Sequence, residues 1–168
     1  MTDFSLLYER YAPLVRSYAL GMCGERALAD DITSDAFVRA WTAGGAIRQD
    51  TVKAYLFTIA RNLYRDSLRR SRGREPLDER IEDERAGPEK QAEDRSDLSF
   101  ILSAMQTLSE SDRAVLLMRA KEDMSYEEIA RALDVTVTAA KVRVHRARLK
   151  LLNVTHAVEK TRDQAEEL

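Results

Sequence analysis

Apolar residues recur at spacings of three and four along most of the chain, and this is the period of amphipathic α-helices. The first such stripe consists of large apolar side chains: Phe4, Leu7, Tyr11, Leu14, Tyr18 and Met22. It predicts a helix over residues 3–22 in spite of Pro13, with Gly21 and Gly24 closing it. Equivalent stripes predict four further helices: 26–41, 52–70, 98–107 and 112–121.

Residues 125–151 carry the most readable local pattern. Ser125 and Glu128 form the signature of a capping box, which starts a short helix over 126–133. A three-residue turn follows, with Thr136 as the expected N-cap of the next helix. That helix has an apolar side chain at every third or fourth position: Val137, Ala140, Val144, Ala147 and Leu151. A short capped helix, a tight turn and a second helix predict a helix-turn-helix.

Composition favours an all-α fold, because six glycines and three prolines in 168 residues are too few for the turns of a β-sandwich or barrel. The single cysteine, Cys23, cannot form an internal disulfide, and no Cys/His cluster has metal-ligand spacing. The sequence shows neither an apolar run long enough to span a membrane nor a signal peptide. We therefore expect an all-α cytoplasmic protein with no membrane insertion and no cofactor.

Charge is distributed unevenly behind a net charge of −2. Residues 1–73 carry 11 basic and 8 acidic side chains, and residues 98–168 carry 11 of each. Residues 74–97 carry 5 basic and 10 acidic side chains but only two large aliphatic ones, Leu77 and Ile81. Such a segment cannot bury a core, so it predicts a flexible acidic linker between two small helical domains.

Two stretches of the chain are strongly basic. Residues 61–74 contain six arginines and one acid, and residues 135–158 contain five Lys or Arg and no acid. Solvated helix faces usually mix both signs, so two such stretches favour contact with a polyanion such as DNA. An enzyme acting on nucleic acid is disfavoured, because the sequence has no paired His/carboxylate set and no Gly-rich phosphate loop.

Four segments together resemble the extracytoplasmic-function (ECF) sigma factors, bacterial RNA polymerase initiation subunits built from two helical domains. The matching segments, in the family's order and spacing, are 28–41, 54–66, 125–130 and 141–148. The resemblance implies a non-enzymatic factor that directs polymerase to specific promoters. It divides the chain into region two, the acidic linker, region four and a C-terminal tail, at residues 1–73, 74–97, 98–152 and 153–168 respectively.

The resemblance also implies three contact surfaces. The second helix of region two would bind core RNA polymerase through mixed acidic, aromatic and basic side chains: Asp30, Asp31, Asp35, Phe37, Arg39 and Trp41. The third helix would melt and read the minus-ten element, with an amide and a carboxylate on an extruded base and arginines on phosphates: Asn62, Arg65, Asp66, Arg69, Arg70 and Arg72. The helix-turn-helix would read the minus-thirty-five element: Ser125, Tyr126, Lys141, Val142, Arg143, His145, Arg146 and Arg148.

The sequence departs from the family pattern at Leu28, where an acid is usual, and at Ala139 and Val142, where polar residues are frequent. The loop from Gly44 to Asp50 matches one that shapes the base pocket. The implied partners are the β′ and β subunits of core RNA polymerase, promoter DNA, and an anti-sigma factor or another regulator. Phosphorylation is the alternative control, with acceptors chosen by position: Thr33, Ser34 and Thr51. A sigma-like mimic that sequesters an anti-sigma factor without binding promoters is the alternative function.

Overall fold

A computed structural model of the chain describes residues 4–44, 51–72 and 99–166, and these residues contain helices and no strand. Their α-helices are, in chain order, α1 (Phe4–Cys23), α2 (Arg26–Thr42), α3 (Val52–Arg72), α4 (99–106), α5 (Glu110–Leu116), α6 (Tyr126–Leu133) and α7 (Val137–Glu166). A π-helical segment, Leu117–Lys121, continues directly from α5. The predicted all-α class is confirmed. The predicted linker 74–97, and positions 45–50 of the predicted loop, lie outside the described residues.

Helices α1, α2 and α3 form a first group and pack pairwise around a shared core. Val15, Ile32 and Leu56 represent the three helices in this core, and each is at most 3% exposed. Tyr18 stacks on Phe57 with 4.7 Å between ring centroids, a favourable aromatic geometry. Burial of these apolar stripes stabilises the helices, because most of the stability of a helix in a protein comes from packing of its apolar face.

Gly24 ends α1 with a φ of +72°, a left-handed conformation that glycine adopts without steric cost. Gly21 does not close the helix as predicted, since it lies inside α1 and is buried. A Cβ placed on Gly21 would lie 2.5 Å from Cδ2 of Leu117. The glycine therefore accommodates a close approach by a distant part of the chain rather than a helix end.

The second group consists of α4 to α7 with the π-helical segment. The Ser109 side chain caps α5 by accepting a hydrogen bond from the Asp112 amide at 3.2 Å. The chain leaves the π-helical segment through a turn in which the Met124 amide donates to the Met118 carbonyl at 3.0 Å. Helix α7 continues to Glu166, so most of the segment predicted as a C-terminal tail is helical.

The two groups of helices are in contact with each other. Their buried side chains form one continuous hydrophobic cluster, in which α1 packs against α5 and the π-helical segment, and α3 packs against α6. The two small helical domains that the sequence predicts pack against one another in this structure. None of the described helices is long and apolar enough to cross a membrane.

Candidate nucleic-acid and polymerase interfaces

The helix-turn-helix is fixed by hydrogen bonds at both of its helix starts. Ser125 and Glu128 form the predicted capping box: the Ser125 side chain accepts from the Glu128 amide at 3.1 Å, and the Ser125 amide donates to Glu128 Oε2 at 2.8 Å. Asp134 ends α6 in the left-handed conformation, with a φ of 54°. Thr136 then caps α7 by accepting from the Ala139 amide at 3.1 Å. These local bonds set the direction in which α7 leaves the turn.

The outer face of α7 is exposed and basic. Ala140, Val144 and Ala147 are buried, as the apolar stripe predicts. The side chains predicted to read the minus-thirty-five element from α7 are all exposed: Lys141, Val142, Arg143, His145, Arg146 and Arg148. Among the described residues, no carboxylate lies within ion-pairing distance of the three arginines. The structure therefore presents the cationic face that the sequence predicts.

Tyr126, at the first position of α6, is a half-buried platform for two cations. The Arg119 guanidinium lies 4.3 Å from its ring centroid, and the Lys141 ammonium lies 5.7 Å from it. Arg119 is held in place by donating to the Met124 carbonyl at 2.9 Å. Arg119 was not among the residues predicted for this surface, because no local pattern links it to Tyr126.

The exposed face of α3 carries most of the residues predicted for the minus-ten element. Asn62 and Arg65 are exposed there, as are the arginines at the end of the helix. Asp66 is half-buried and pairs with Arg69 at 3.0 Å. Asn62 and Asp66 are one helical turn apart, so they share a face as expected. Arg61, which belongs to the same basic stretch, instead points to the second group of helices and pairs with Glu110.

The predicted polymerase-binding face of α2 carries exposed charged side chains and two aromatic residues, one exposed and one buried. Asp31, Asp35 and Arg39 are exposed, and Asp30 pairs with Arg16 at 2.5 Å between α1 and α2. Trp41 is 62% exposed, whereas Phe37 is only 2% exposed. Phe37 packs against the aromatic rings of Phe4 and Tyr8 on α1, and its contact with polymerase stays a prediction.

An apolar groove of about 320 Å³ runs beside this face, between α1 and α2. Its walls are mostly aromatic or aliphatic: Phe4, Tyr8, Ser34, Phe37, Val38 and Trp41. The ring centroids of Phe4 and Trp41 are 4.6 Å apart, and those of Tyr8 and Phe37 are 4.9 Å apart. Val38 was not among the predicted residues, although its position midway between Asp35 and Trp41 places it on their face.

Two family models match most of the chain. Sigma-70 region 2 matches residues 7–74, and Sigma-70 region 4 matches residues 101–151. The RNA polymerase sigma factor CarQ of Myxococcus xanthus is 32% identical over 152 residues, which are 88% of this chain and 86% of CarQ. The ECF RNA polymerase sigma factor SigL of Mycobacterium tuberculosis is 31% identical over 147 residues, which are 84% of this chain and 82% of SigL. The chain belongs to the ECF sigma factors.

The sigma factor also matches a solved structure, that of CnrH in complex with the cytosolic domain of CnrY. The TM-score is 0.71 at 28% sequence identity, and the match covers 92% of this chain and 88% of CnrH. In the sigma factor, α1 to α3 form region two, and α4 to α7 form region four. Helix α7 extends beyond residue 151, where the region-four model ends.

Several titratable and hydroxyl groups of the sigma factor are withdrawn from solvent. Burial raises the pKa of the Glu122 carboxyl, and the nearby cations Lys121 and Lys53 oppose this shift. Burial also raises the pKa of the Cys23 thiol, which favours the protonated thiol over the more nucleophilic thiolate at neutral pH. Thr33 was a candidate phosphate acceptor, but it is buried and its hydroxyl donates to the Ala29 carbonyl at 2.7 Å. It is therefore not accessible to a kinase in this structure.

Proposed function

We propose that this sigma factor directs core RNA polymerase to promoters by reading the minus-thirty-five element with α7 and the minus-ten element with α3. Membership of the ECF sigma factors establishes a role in transcription initiation, and the promoter contacts are our inference. The observation that carries the proposal is the exposed face of α7, which is basic and free of acids over its first fourteen residues. The capped turn before it is the geometry that places a recognition helix in the major groove.

Readout of the minus-thirty-five element would combine charged and apolar side chains. An arginine such as Arg146 can bind guanine in bidentate fashion, which is the commonest specific contact in the major groove. Val142 is 42% exposed on the same face and offers a methyl contact to thymine. Lys141 and His145 add polar contacts. Because Ala139 and Val142 carry no hydrogen-bonding side chain, part of the readout would depend on DNA shape.

Readout of the minus-ten element would use the exposed face of α3. The Asn62 amide offers both a donor and an acceptor to an unstacked base, with Asp66 one turn away. Arg69, Arg70 and the neighbouring cations would bind phosphates and supply affinity without sequence information.

Core RNA polymerase would bind the exposed charges of α2 together with Trp41, whose indole stands at the edge of the apolar groove. An aromatic anchor among charges is a common arrangement of binding hot spots. Leu28 packs partly against the hydrophobic core and does not replace the negative charge that is usual at its position. The carboxylates of Asp31 and Asp35 then provide most of the negative charge on this face.

A second protein would hold the sigma factor until its signal arrives. The support is that CnrH, which is similar over nearly the whole chain, was solved with the cytosolic domain of CnrY. The experiment for this partner is core polymerase binding by the unmodified sigma factor. Tight binding without modification favours a protein inhibitor, and binding only after phosphorylation would contradict it.

The promoter proposal is tested by transcription in vitro with core polymerase, the sigma factor and a library of promoter sequences. We expect enrichment of one minus-ten and one minus-thirty-five sequence. R146A should relax the selected minus-thirty-five sequence, whereas R162A on the distal part of α7 should not. Arg162 is a matched control, because it is exposed on the same helix and its ion pair among the described residues is with Glu166, at 3.6 Å. Polymerase binding with no promoter-specific transcript would overturn the proposal and favour the sigma-like mimic.

A further inference from the structure

Within the described part of the chain, an ion pair connects the two regions of the sigma factor at their junction. Arg61 of α3 donates to Glu110 of α5 twice, from Nε to Oε1 at 2.6 Å and from Nη2 to Oε2 at 3.0 Å. The Arg61 side chain is 12% exposed and that of Glu110 is 17% exposed. A bidentate pair that is shielded from water is well ordered, and removing one partner leaves the other charge buried and unpaired.

A second arginine reaches across the junction in the opposite direction. Arg113 of α5 is 6% exposed, and its Nη2 donates to the Tyr64 hydroxyl of α3 at 3.0 Å. Its Nη1 donates to the Leu108 carbonyl at 2.6 Å, which anchors the guanidinium within region four. The two arginines thus form reciprocal contacts between α3 and α5.

Backbone groups add to the junction along its length. The Thr58 hydroxyl lies 3.1 Å from the Ala132 carbonyl, so α3 contacts the end of α6 next to the helix-turn-helix. Lys53 donates to the Glu122 carbonyl at 3.2 Å, and this cation lies at the start of α3. These bonds hold region four against the same helix that carries Asn62, the predicted base-reading residue.

Close packing completes the junction at Gly21. Leu117 of the π-helical segment fills the space that a side chain at Gly21 would occupy. Glycine inside a helix costs about 1 kcal/mol relative to alanine, so its place here indicates that contact with Leu117 outweighs helix propensity. π-Helical segments are rare, and those that occur often lie at functional sites. This one supplies Leu117, the side chain that contacts Gly21 of region two.

The closed arrangement cannot engage both promoter elements together. The minus-ten and minus-thirty-five elements are centred about 25 base pairs apart, as their positions state. This separation is about 85 Å of duplex at about 3.4 Å per base pair. A compact chain of 168 residues has a radius of gyration of about 15 Å, and hence a diameter of roughly 40 Å. Even α7, with 30 residues, is only about 45 Å long. Region two and region four must therefore separate before both elements are read.

We propose that the junction between α3, α5 and the π-helical segment is an autoinhibitory latch, with the Arg61–Glu110 ion pair and the Gly21–Leu117 contact as its main components. The latch keeps the free sigma factor closed by its own contacts and lowers its activity until polymerase or DNA separates the regions. The inhibitory role rests on the proposed promoter-reading function, whereas closure itself does not.

Closure is tested by single-molecule fluorescence energy transfer on the full chain. Donor and acceptor dyes are attached at E9C in region two and D163C in region four, in a C23S background. E110Q removes the charge partner of Arg61, and we expect the ratio of open to closed molecules to rise by about tenfold or more. D112N is the matched control, because Asp112 is also in the first turn of α5 but pairs within region four, with Lys150 at 2.9 Å. D112N should leave the ratio unchanged.

G21A provides a second, independent perturbation of the latch. Alanine favours the helical conformation of α1, while its Cβ displaces Leu117. We expect more open molecules with no loss of helical circular dichroism. Transfer distributions like that of the parent in both E110Q and G21A would overturn the latch. An E110Q chain that does not fold, together with an unchanged G21A distribution, would also overturn it.

The inhibitory role is tested by transcription at limiting sigma factor. We expect E110Q and G21A, but not D112N, to give several-fold more promoter-specific transcript than the parent. Open molecules without a rise in transcription would overturn inhibition while leaving closure supported. Absence of promoter-specific transcript from the parent and every variant would refute the proposed function, and the fluorescence result would still decide closure.

Discussion

Trp41→Ala separates binding from folding on the predicted polymerase face of α2. Trp41 is 62% exposed, so it contributes to the fold mainly through its contact with Phe4. Truncating a fully buried aromatic residue costs about 3–5 kcal/mol, and the buried two fifths of Trp41 therefore account for about 1–2 kcal/mol of folding free energy. An aromatic anchor at a protein interface costs at least about 2 kcal/mol on truncation, which is roughly 30-fold in Kd.

The assay is a titration of core RNA polymerase into fluorescently labelled sigma factor, combined with urea unfolding of the same preparations. L152A is the control variant, because Leu152 is 53% exposed and lies on α7, far along the chain from α2. We expect W41A to bind core polymerase at least about 30-fold more weakly than the parent, and L152A to bind like the parent.

The stability measurement decides how a weaker affinity is interpreted. A domain with about 5 kcal/mol of stability remains more than 99% folded after a loss of about 2 kcal/mol, so unfolding cannot produce a 30-fold effect. Unchanged polymerase affinity in W41A would refute the placement of the binding surface. A folding loss near that of a fully buried aromatic residue would refute the exposure on which the calculation depends.

Three further results are expected. R146A should lose about 1–3 kcal/mol of DNA-binding free energy and relax selectivity in the minus-thirty-five element. The R69A/R70A double variant should instead weaken binding to all DNA sequences alike and reduce the salt dependence of the affinity. Indistinguishable effects of the two variants in binding titrations would contradict this assignment. Trypsin should cut first within residues 73–97, and first cuts inside residues 50–70, detected by mass spectrometry, would argue against the predicted linker. Burial raises the pKa of Glu122, so the folded protein loses stability as this carboxyl ionises with rising pH. E122Q should therefore have a higher melting temperature than the parent at pH 8, and the difference should become smaller toward pH 4. A difference in melting temperature that does not depend on pH would contradict the burial effect.

Features set by neighbouring residues were predictable from the sequence. The capping box at Ser125 and the cap at Thr136 each depend on residues three positions apart, and the structure has both caps. The buried stripe of α7 also follows from helical periodicity, which is a property of the local backbone. The same holds for the exposure of its basic face.

Features set by distant residues were not predictable in the same way. Arg61 and Glu110 are 49 positions apart, and nothing local distinguishes Arg61 from the other arginines of its stretch. Gly21 looked like a helix end because glycine often is one, but its reason is packing against Leu117. Phe37 and Trp41 are both aromatic and one helical turn apart, and only the position of α1 decides that the first is buried and the second exposed.

Because the two regions are in contact, the linker that joins them also determines how strongly they associate. The predicted linker, residues 74–97, joins the two halves, and a flexible tether of these 24 residues would maintain an effective concentration on the order of millimolar. Contacts between the halves with a dissociation constant in that range are therefore enough to keep half the molecules closed. One peptide-bond cleavage in the tether makes closure bimolecular, and at micromolar protein such halves would dissociate. Proteolysis there would then separate halves joined by such weak contacts, without breaking a single contact inside either half.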